Sequence, residues 1–485
     1  MVTFTPRFST LASALAAAAL LAACSHTTDL AQQGLDVAVP EQWSSTAPAA
    51  AQAQDLSHWW QQFGDAQLSE LIAQAQQANT TVLSARAAME QARALSDVQR
   101  AGLWPSVGAS AGARRSQQGT DDASNSYNVG LDASWELDLW GKRSNTVSAS
   151  WQSYLASREN LYAAHVSLAS EVALQYIQLR SLQQRLAIAE QNLALQAETE
   201  QMTRWRVQAG LAAALDGEQA RQALAQTSAQ IPALQTSLAQ TRHALAVLTG
   251  QTPEALQERL AQAEPLPTPP QGLALLLPAD TLRQRPDVRA QEHRMQAALA
   301  NLSAQERANF PTLRLSGSLG VSALTLGALT NGASVARSIA ASLAAPLFDA
   351  GANRAQISAQ KSAVEQARQA WRASVLTALQ EVEDALVQLQ GDQERLLHLS
   401  TAAEAAANAQ LLAQQRYESG LVDFRTVLDS QRTLLSSQDS LASAQAAINN
   451  DYIRLFKALG GGWQAEPEHA AGQTATAAYR PDASE

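Results

Sequence analysis

The 485-residue sequence predicts a mainly α-helical chain, written twice, with a pair of β-strands ahead of a very long helix in each half. Three observations carry this. Two broken helices, RWRVQAGLAAALDGEQARQAL at 204–224 and RYESGLVDFRTVLDSQRTLL at 416–435, each turn on one glycine, Gly210 and Gly420. Recurrence at a fixed separation marks an internal duplication. Long Ala- and Gln-rich tracts lack Gly and Pro, which favours long helices with little bulky core, in keeping with 5% aromatics. Two stretches alternate apolar and polar residues with a period of two, the mark of strands with one apolar face.

Taken in order, Arg7 and the apolar run from Leu11 to Ala23 read as a secretory signal at 1–23, too short to span as a transmembrane helix. The sole cysteine, Cys24, follows at once, so no internal disulfide can form. Either cleavage happens to leave a cysteine there, or LAAC is an acylation site. Residues 24–66, with Pro40 and Pro48, read as a polar tether. DLSHWWQQFGDAQLSELIAQAQQAN then opens a helical region running to about Gly102, followed by strands near 104–116 and 127–140.

From Tyr127 the apolar set is Tyr127, Val129, Leu131, Ala133, Trp135, Leu137 and Leu139; Leu313, Leu315, Leu319 and Val321 repeat the pattern in a strand near 311–322, followed by another near 334–348. The pattern alone leaves a soluble sandwich and a membrane barrel open. Four strands cannot close a barrel, and open edges in lipid leave backbone groups unpaired, so a barrel requires several copies of the chain.

Between Gly141 and Gly210 there is neither Gly nor Pro, and Leu161, Leu168, Val172, Leu179, Leu182, Leu186 and Leu193 keep coiled-coil spacing. Val375, Leu379, Val382, Leu386, Leu389 and Leu396 do the same between Gly351 and Gly420. Each helix is on the order of 100 Å long at 1.5 Å per residue. Shorter helices follow, roughly Leu211–Thr249 and Leu421–Leu459. The divisions are therefore a first repeat at 67–250, a Pro-rich linker at 251–280, a second repeat at 281–459 and a tail at 460–485.

The net charge of −10 offers no electrostatic reason to bind nucleic acid. The seven histidines show no metal-ligand spacing such as HExxH, and Gly460–Gly462 lacks the GK[ST] of a phosphate loop. The sequence predicts neither an enzyme nor a bound cofactor.

WWQQFGDAQLSELIAQAQQAN, WELDLWGK, LRQRPDVRAQE, NFPTLRLSG, the two glycine breaks and LGGGW occur in one order across residues 55–463. Together they resemble the TolC-like outer membrane factors of tripartite efflux systems, in their lipoprotein branch. Leu21–Cys24 likewise resembles a lipobox, and Ser25 after it implies sorting to the outer membrane. The implied fold class is mainly α with a membrane β-barrel: a coiled-coil α-barrel continuing a 12-stranded barrel, formed by a homotrimer with four strands per chain. The implied function is an outer membrane exit duct for small molecules, anchored in outer membrane lipid and extending into the periplasm. Its implied partners are a periplasmic adaptor protein and an inner membrane transporter. A duct for type I protein secretion and a periplasmic coiled-coil scaffold are the rival readings.

The resemblance also implies roles at the periplasmic tip. Gly210 and Gly420 would permit a reversal where a side chain does not fit. Asp429 falls on an acidic aperture position, Thr426 on another that is acidic in some members, and Asp216 on the acid of the first hairpin's GLxxxLD pattern. Tyr417 and Arg425 are candidates for holding the gate shut. A threefold ring of carboxylates attracts cations and resists anions. Gly210, Leu211, Gly420, Leu421 and Asp423 form the expected adaptor contact. Solvated surface acids and plain turns are the bland alternatives.

Overall fold

The computed structural model describes residues 40, 42–44, 56–119, 122–270 and 278–464. The signal peptide, Cys24, most of the tether and residues 465–485 of the tail lie outside the described residues.

Helices α1 (Ala66–Ala78) and α2 (Thr80–Ala101) are separated by Asn79, whose extended backbone ends one helix while its side chain caps the next by accepting from the Thr81 amide at 2.8 Å. Strands β1 (Ser106–Ser116) and β2 (Ser124–Leu137) follow, then α3 (Lys142–Gln208) and α4 (Ala214–Leu248). The second repeat opens with α5 (Pro278–Gln284) and α6 (Pro286–Glu306), continues through β3 (Thr312–Ala323) and β4 (Val335–Ala344), and closes with α7 (Ala352–Glu418) and α8 (Phe424–Ala458). Helices α3 and α7 are both 67 residues long, and α4 and α8 are both 35. Both long helices start from a left-handed glycine, Gly141 and Gly351. Aspartates cap their first turns: Asp138 accepts from the Arg143 and Ser144 amides, and Asp349 from those of Gly351 and Asn353.

Near the strands the helices lie side by side in the order α2, α3, α6, α7; towards the glycine turns the order is α4, α3, α8, α7. The two long helices thus run through both layers. The core sits mid-length, where buried members of the predicted seams, Leu161, Leu168, Val172, Leu179 and Leu182 with Val382, Leu386 and Leu389, meet α1 and the end of α8. Leu193 and Leu396, at the far ends of the seams, are only partly buried.

The tether boundary at residue 66 needs correction. Residues Trp59–Phe63 form a 3-10 turn whose three aromatic side chains lie inside the core. Trp59 stacks on Phe456 with ring centroids 5.2 Å apart, and the Gly462 amide donates to the Leu56 carbonyl at 2.9 Å. The LGGGW segment, placed in the tail by its sequence, is the other half of this clasp: Gly461 and Gly462 lie against Leu56 and Trp59. Arg180, also buried, ties the segment after α4 to α3, donating to the Gln262 carbonyl at 3.0 Å and to Glu264 at 2.8 Å.

The four strands form one antiparallel sheet in the order β1-β2-β3-β4. The second strand ends at Leu137 and the fourth at Ala344, short of the predicted 140 and 348. Trp140 is instead placed by its indole, which donates to the Pro311 carbonyl at 2.6 Å, and by stacking on Phe310.

Candidate functional site

The sheet register sorts its residues cleanly. Opposite Val129, Leu131, Ala133, Trp135 and Leu137 stand Val321, Leu319, Gly317, Leu315 and Leu313, so one face of the central pair is apolar along its length. Val107, Ala109 and Ala111 extend that face across β1, and Ile339, Ala341 and Leu343 across β4. The other face carries Ser106, Ser110, Asp132, Ser134, Glu136, Arg314, Ser316, Ser318, Ser338 and Ser342. Charges on the apolar face, Arg115 and Arg337, lie within a few residues of the loops at one end of the sheet. Strands β1 and β4 each have one neighbour, so both outer edges keep unpaired backbone groups. Ile339 on β4 is 94% exposed, as an apolar side chain on an uncovered face must be.

At the opposite end the two helix reversals are built alike. The Gly210 amide donates to the Val207 carbonyl at 3.0 Å and the Leu211 amide to Arg206 at 2.7 Å; the Gly420 amide reaches Tyr417 at 3.0 Å and Leu421 reaches Arg416 at 2.8 Å. This is the Schellman closure, in which the residue past the helix end adopts a left-handed conformation. Both glycines do so, at φ 71° and 73°. The expectation that a side chain would not fit is corrected: a Cβ at either position meets nothing within 4 Å. Backbone dihedral, not space, demands glycine there.

Leu211, Asp216, Tyr417, Gly420, Asp423 and Arg425 come together around one groove of about 600 Å³ between the hairpins. Tyr417 is held inside the tip, with the Arg206 guanidinium 4.9 Å from its ring centroid and Phe424 5.5 Å away. Phe424 and Leu428 are buried against Ala220 of α4, which joins the two hairpins. Leu211 and Leu421 are among the most exposed leucines of the described residues.

Asp423 is the N-cap of α8, accepting from the Thr426 amide at 2.9 Å and its hydroxyl at 2.6 Å. Those two hydrogen bonds, the hydroxyl's first, hold its carboxyl below the usual aspartate value. Thr426 is therefore engaged in the cap. The spacing Asp-x-x-Thr after the glycine turn carried that signal. Asp216 lies in the first turn of α4, where the positive end of the helix dipole favours a carboxylate.

Asp429 and Thr426 lie outside the groove. Asp429 is on the exposed side of α8 between two guanidiniums, Arg425 at 3.7 Å and Arg432 at 3.5 Å. Arg425 thus bonds within its own helix, to Asp429. Arg432 escaped the sequence reading, although its place three residues past Asp429 was visible.

Two buried features away from the tip were not foreseen. Glu159 on α3 is fully buried and binds Arg158 at 3.3 Å and Arg289 of α6 at 3.0 Å. Asp392 on α7 and Asp451 on α8 are adjacent and nearly buried; Arg395 and Arg454 reach them only from the rim, at 3.6 and 3.7 Å. Burial, and then the neighbouring Asp392 carboxyl, push Asp451 up to about 7.

Among the described residues no helix is long and apolar enough to cross a membrane. The family model described as outer membrane efflux protein matches residues 71–251 and 277–461. The pyoverdine export outer membrane protein OpmQ of Pseudomonas aeruginosa is 32% identical over 470 residues, covering 94% of this chain and 97% of its own. The outer membrane protein OprJ of the same species is 32% identical over 463 residues, covering 93% and 95%. The solved structure of the outer-membrane channel OprN superposes with a TM-score of 0.81 at 34% identity, covering 89% of this chain and 99% of that one.

Proposed function

Because this chain belongs to the outer membrane efflux protein family, we propose that three copies of it close into a single duct that carries small molecules out of the cell. Its fold is that of the TolC-like channels, its place is the outer membrane, and its function is that of the outer membrane channel of an efflux pump. What it adds to this class is read from its own residues.

The open-edged sheet carries the proposal. Backbone groups on β1 and β4 are satisfied in lipid only if β4 of one copy pairs with β1 of the next. Three copies give twelve strands, with the Leu131–Leu319 face toward lipid and the serine-rich face around a wet lumen. The long helices continue the wall away from the membrane. An inner membrane transporter supplies energy, and a periplasmic adaptor grips the tip at the exposed Leu211 and Leu421. Lipid on Cys24 adds attachment without forming any wall. The narrowest point lies at the tip, ringed by the exposed stripe of α8 that bears Asp429.

Arginine on the lipid face at mid-barrel costs about 2–4 kcal/mol and on the lumen face far less. Leu131→Arg should therefore block trimer formation on native gels, while Ser134→Arg still reaches the outer membrane as a trimer. Equal tolerance of the two substitutions would overturn the assignment of faces.

A further inference from the structure

We propose that each seam between copies in the barrel wall binds a lipid with a multiply charged phosphate headgroup, held by Arg337 of one copy and Arg115 of the next. The inference rests on the three-copy barrel above and names what its outer surface recognises. Arg115 and Arg337 are the charged residues of the sheet's apolar face, and both are exposed. Asp132, Glu136, Arg314 and Arg114 stand on the opposite face. No Asp or Glu lies on the apolar face of the described strands. Among the described residues neither arginine side chain has an ion pair or hydrogen bond, and Asp122, in the loop beyond β1, pairs with neither.

The ends of the strands bring the two together. Every helix joins the sheet at one end, and the loops after β1 and β3 lie at the other, on the outward side of the membrane. Strands tilt in a barrel, and the ladder ends step accordingly: Ser116 faces Ser124, Tyr127 faces Ala323 and Val321 faces Val335. Arg337, although it faces Leu319, is thus the third residue of β4 from the outward end, and Arg115 is the second of β1. With the ends level, β4 of one copy and β1 of the next set the two guanidiniums side by side on the lipid face. Adjacent like charges on a sheet repel. Phosphate between them offsets both, since each guanidinium can bind it through two parallel hydrogen bonds. A headgroup with one negative charge leaves one guanidinium unmatched.

The surface below Arg337 suits acyl chains. Ala133 and Gly317 face each other one row nearer the middle of the membrane, with Leu131, Leu319 and Ile339 around them. They form a depression of about 570 Å³ with Arg337 at its outward rim. An apolar floor beneath a cationic rim matches a lipid whose chains descend from a phosphorylated headgroup.

The test is native mass spectrometry of the detergent-purified, delipidated trimer offered diphosphoryl lipid A or phosphatidylglycerol at equal concentration. The wild-type trimer should retain diphosphoryl lipid A on the order of tenfold more tightly than phosphatidylglycerol. Arg115→Gln combined with Arg337→Gln should abolish that preference, whereas Arg114→Gln, on the lumen face, should keep it. Gly317→Leu fills the depression, where the first added carbon comes no closer than 3.7 Å to the Ser338 carbonyl. It should weaken retention several-fold with both arginines in place, and unchanged retention would overturn the seat for the chains. A wild type without preference, a double variant that retains lipid A as the wild type does, or an equal loss in Arg114→Gln would each overturn the phosphate site. Wild-type protein that never runs as a trimer would instead bring down the duct reading, and the seam with it.

Discussion

The two hairpins at the tip share a backbone and differ in nearly every side chain that matters. Displaced by the repeat, Ala213 stands where the second hairpin has Asp423, Leu215 where it has Arg425, and Asp216 where it has Thr426. Gln219 corresponds to Asp429 and Val207 to Tyr417. The first hairpin has no side-chain cap at the start of α4, whereas the second has Asp423. Helix α4 buries six residues and α8 buries sixteen, because α8 lies between α3 and α7 while α4 has α3 on one flank only. Duplication preserved lengths and turns; position within the protomer decided the chemistry. One hairpin became an inner stave packed on both sides, and the other an edge left for a neighbouring copy.

The strongest way to break this comparison is a proline. Helix α4 tolerates Pro232 on its interior, and the corresponding position of α8 is the buried Ala442. Ala442→Pro removes a helix hydrogen bond and drives a ring into packed neighbours, at about 3 kcal/mol or more. Pro232→Ala should stay within about 1 kcal/mol of the wild type. Thermal dissociation of the detergent-solubilised trimer reads both, and an equal loss in each would abolish the distinction between inner and edge stave.

A smaller effect sharpens the contrast further from the tip. Where the second half buries Asp392 and Asp451, the first has Leu182 and Thr241, with Thr241 bonding back to Ser237 at 2.8 Å. Asp451 binds its proton more tightly in the folded chain than in the unfolded one, up to about 7. Stability from this site is therefore full below the ordinary aspartate value and falls as pH rises toward 7. Asp451→Asn keeps a donor for Asp392 without the charge. It should leave stability near pH 3 nearly unchanged and raise it progressively as pH rises from about 4 to 7, by more at pH 7 than at pH 5 and by a few kcal/mol at most. Parallel pH profiles for the two proteins would show that the pair does not share a proton.

The least disruptive exchange swaps the caps. Asp423→Ala should speed hydrogen exchange at the first amides of α8 several-fold, with little change elsewhere, and Ala213→Asp should slow it at the start of α4. If Ala213→Asp gave no protection, the first hairpin's lack of a cap would be a matter of geometry and not of residue choice.

How much of this was legible depended on distance along the chain. The repeat, the alternating strands and the glycine turns are local periodicities, and the sequence reading placed all three. Trp59 and Phe63 were lost in a tether because polar neighbours hid them, although two tryptophans and a phenylalanine within five residues are costly to leave in water. Cap and charge stripe were also local: Asp423 with Thr426, and Arg425 with Asp429, are set by helical spacing alone. Asp392 with Asp451, and Glu159 with Arg289, lie many residues apart and meet only through packing. No pattern in one sequence brings those together.

The matched lengths of the helices make the duct a gauge block. Deleting one residue from α3 alone would raise its end by about 1.5 Å and rotate everything beyond by about 100°, turning the seam away from its partner. The same deletion in α7 would be needed to level the rim again, and compensating cuts in α4 and α8 to keep the reversals opposite their neighbours. A tube of this kind cannot drift in length one residue at a time. Its depth changes only by increments taken in all four staves together, near a whole number of turns, so the span it bridges is set by arithmetic as firmly as by selection on either end.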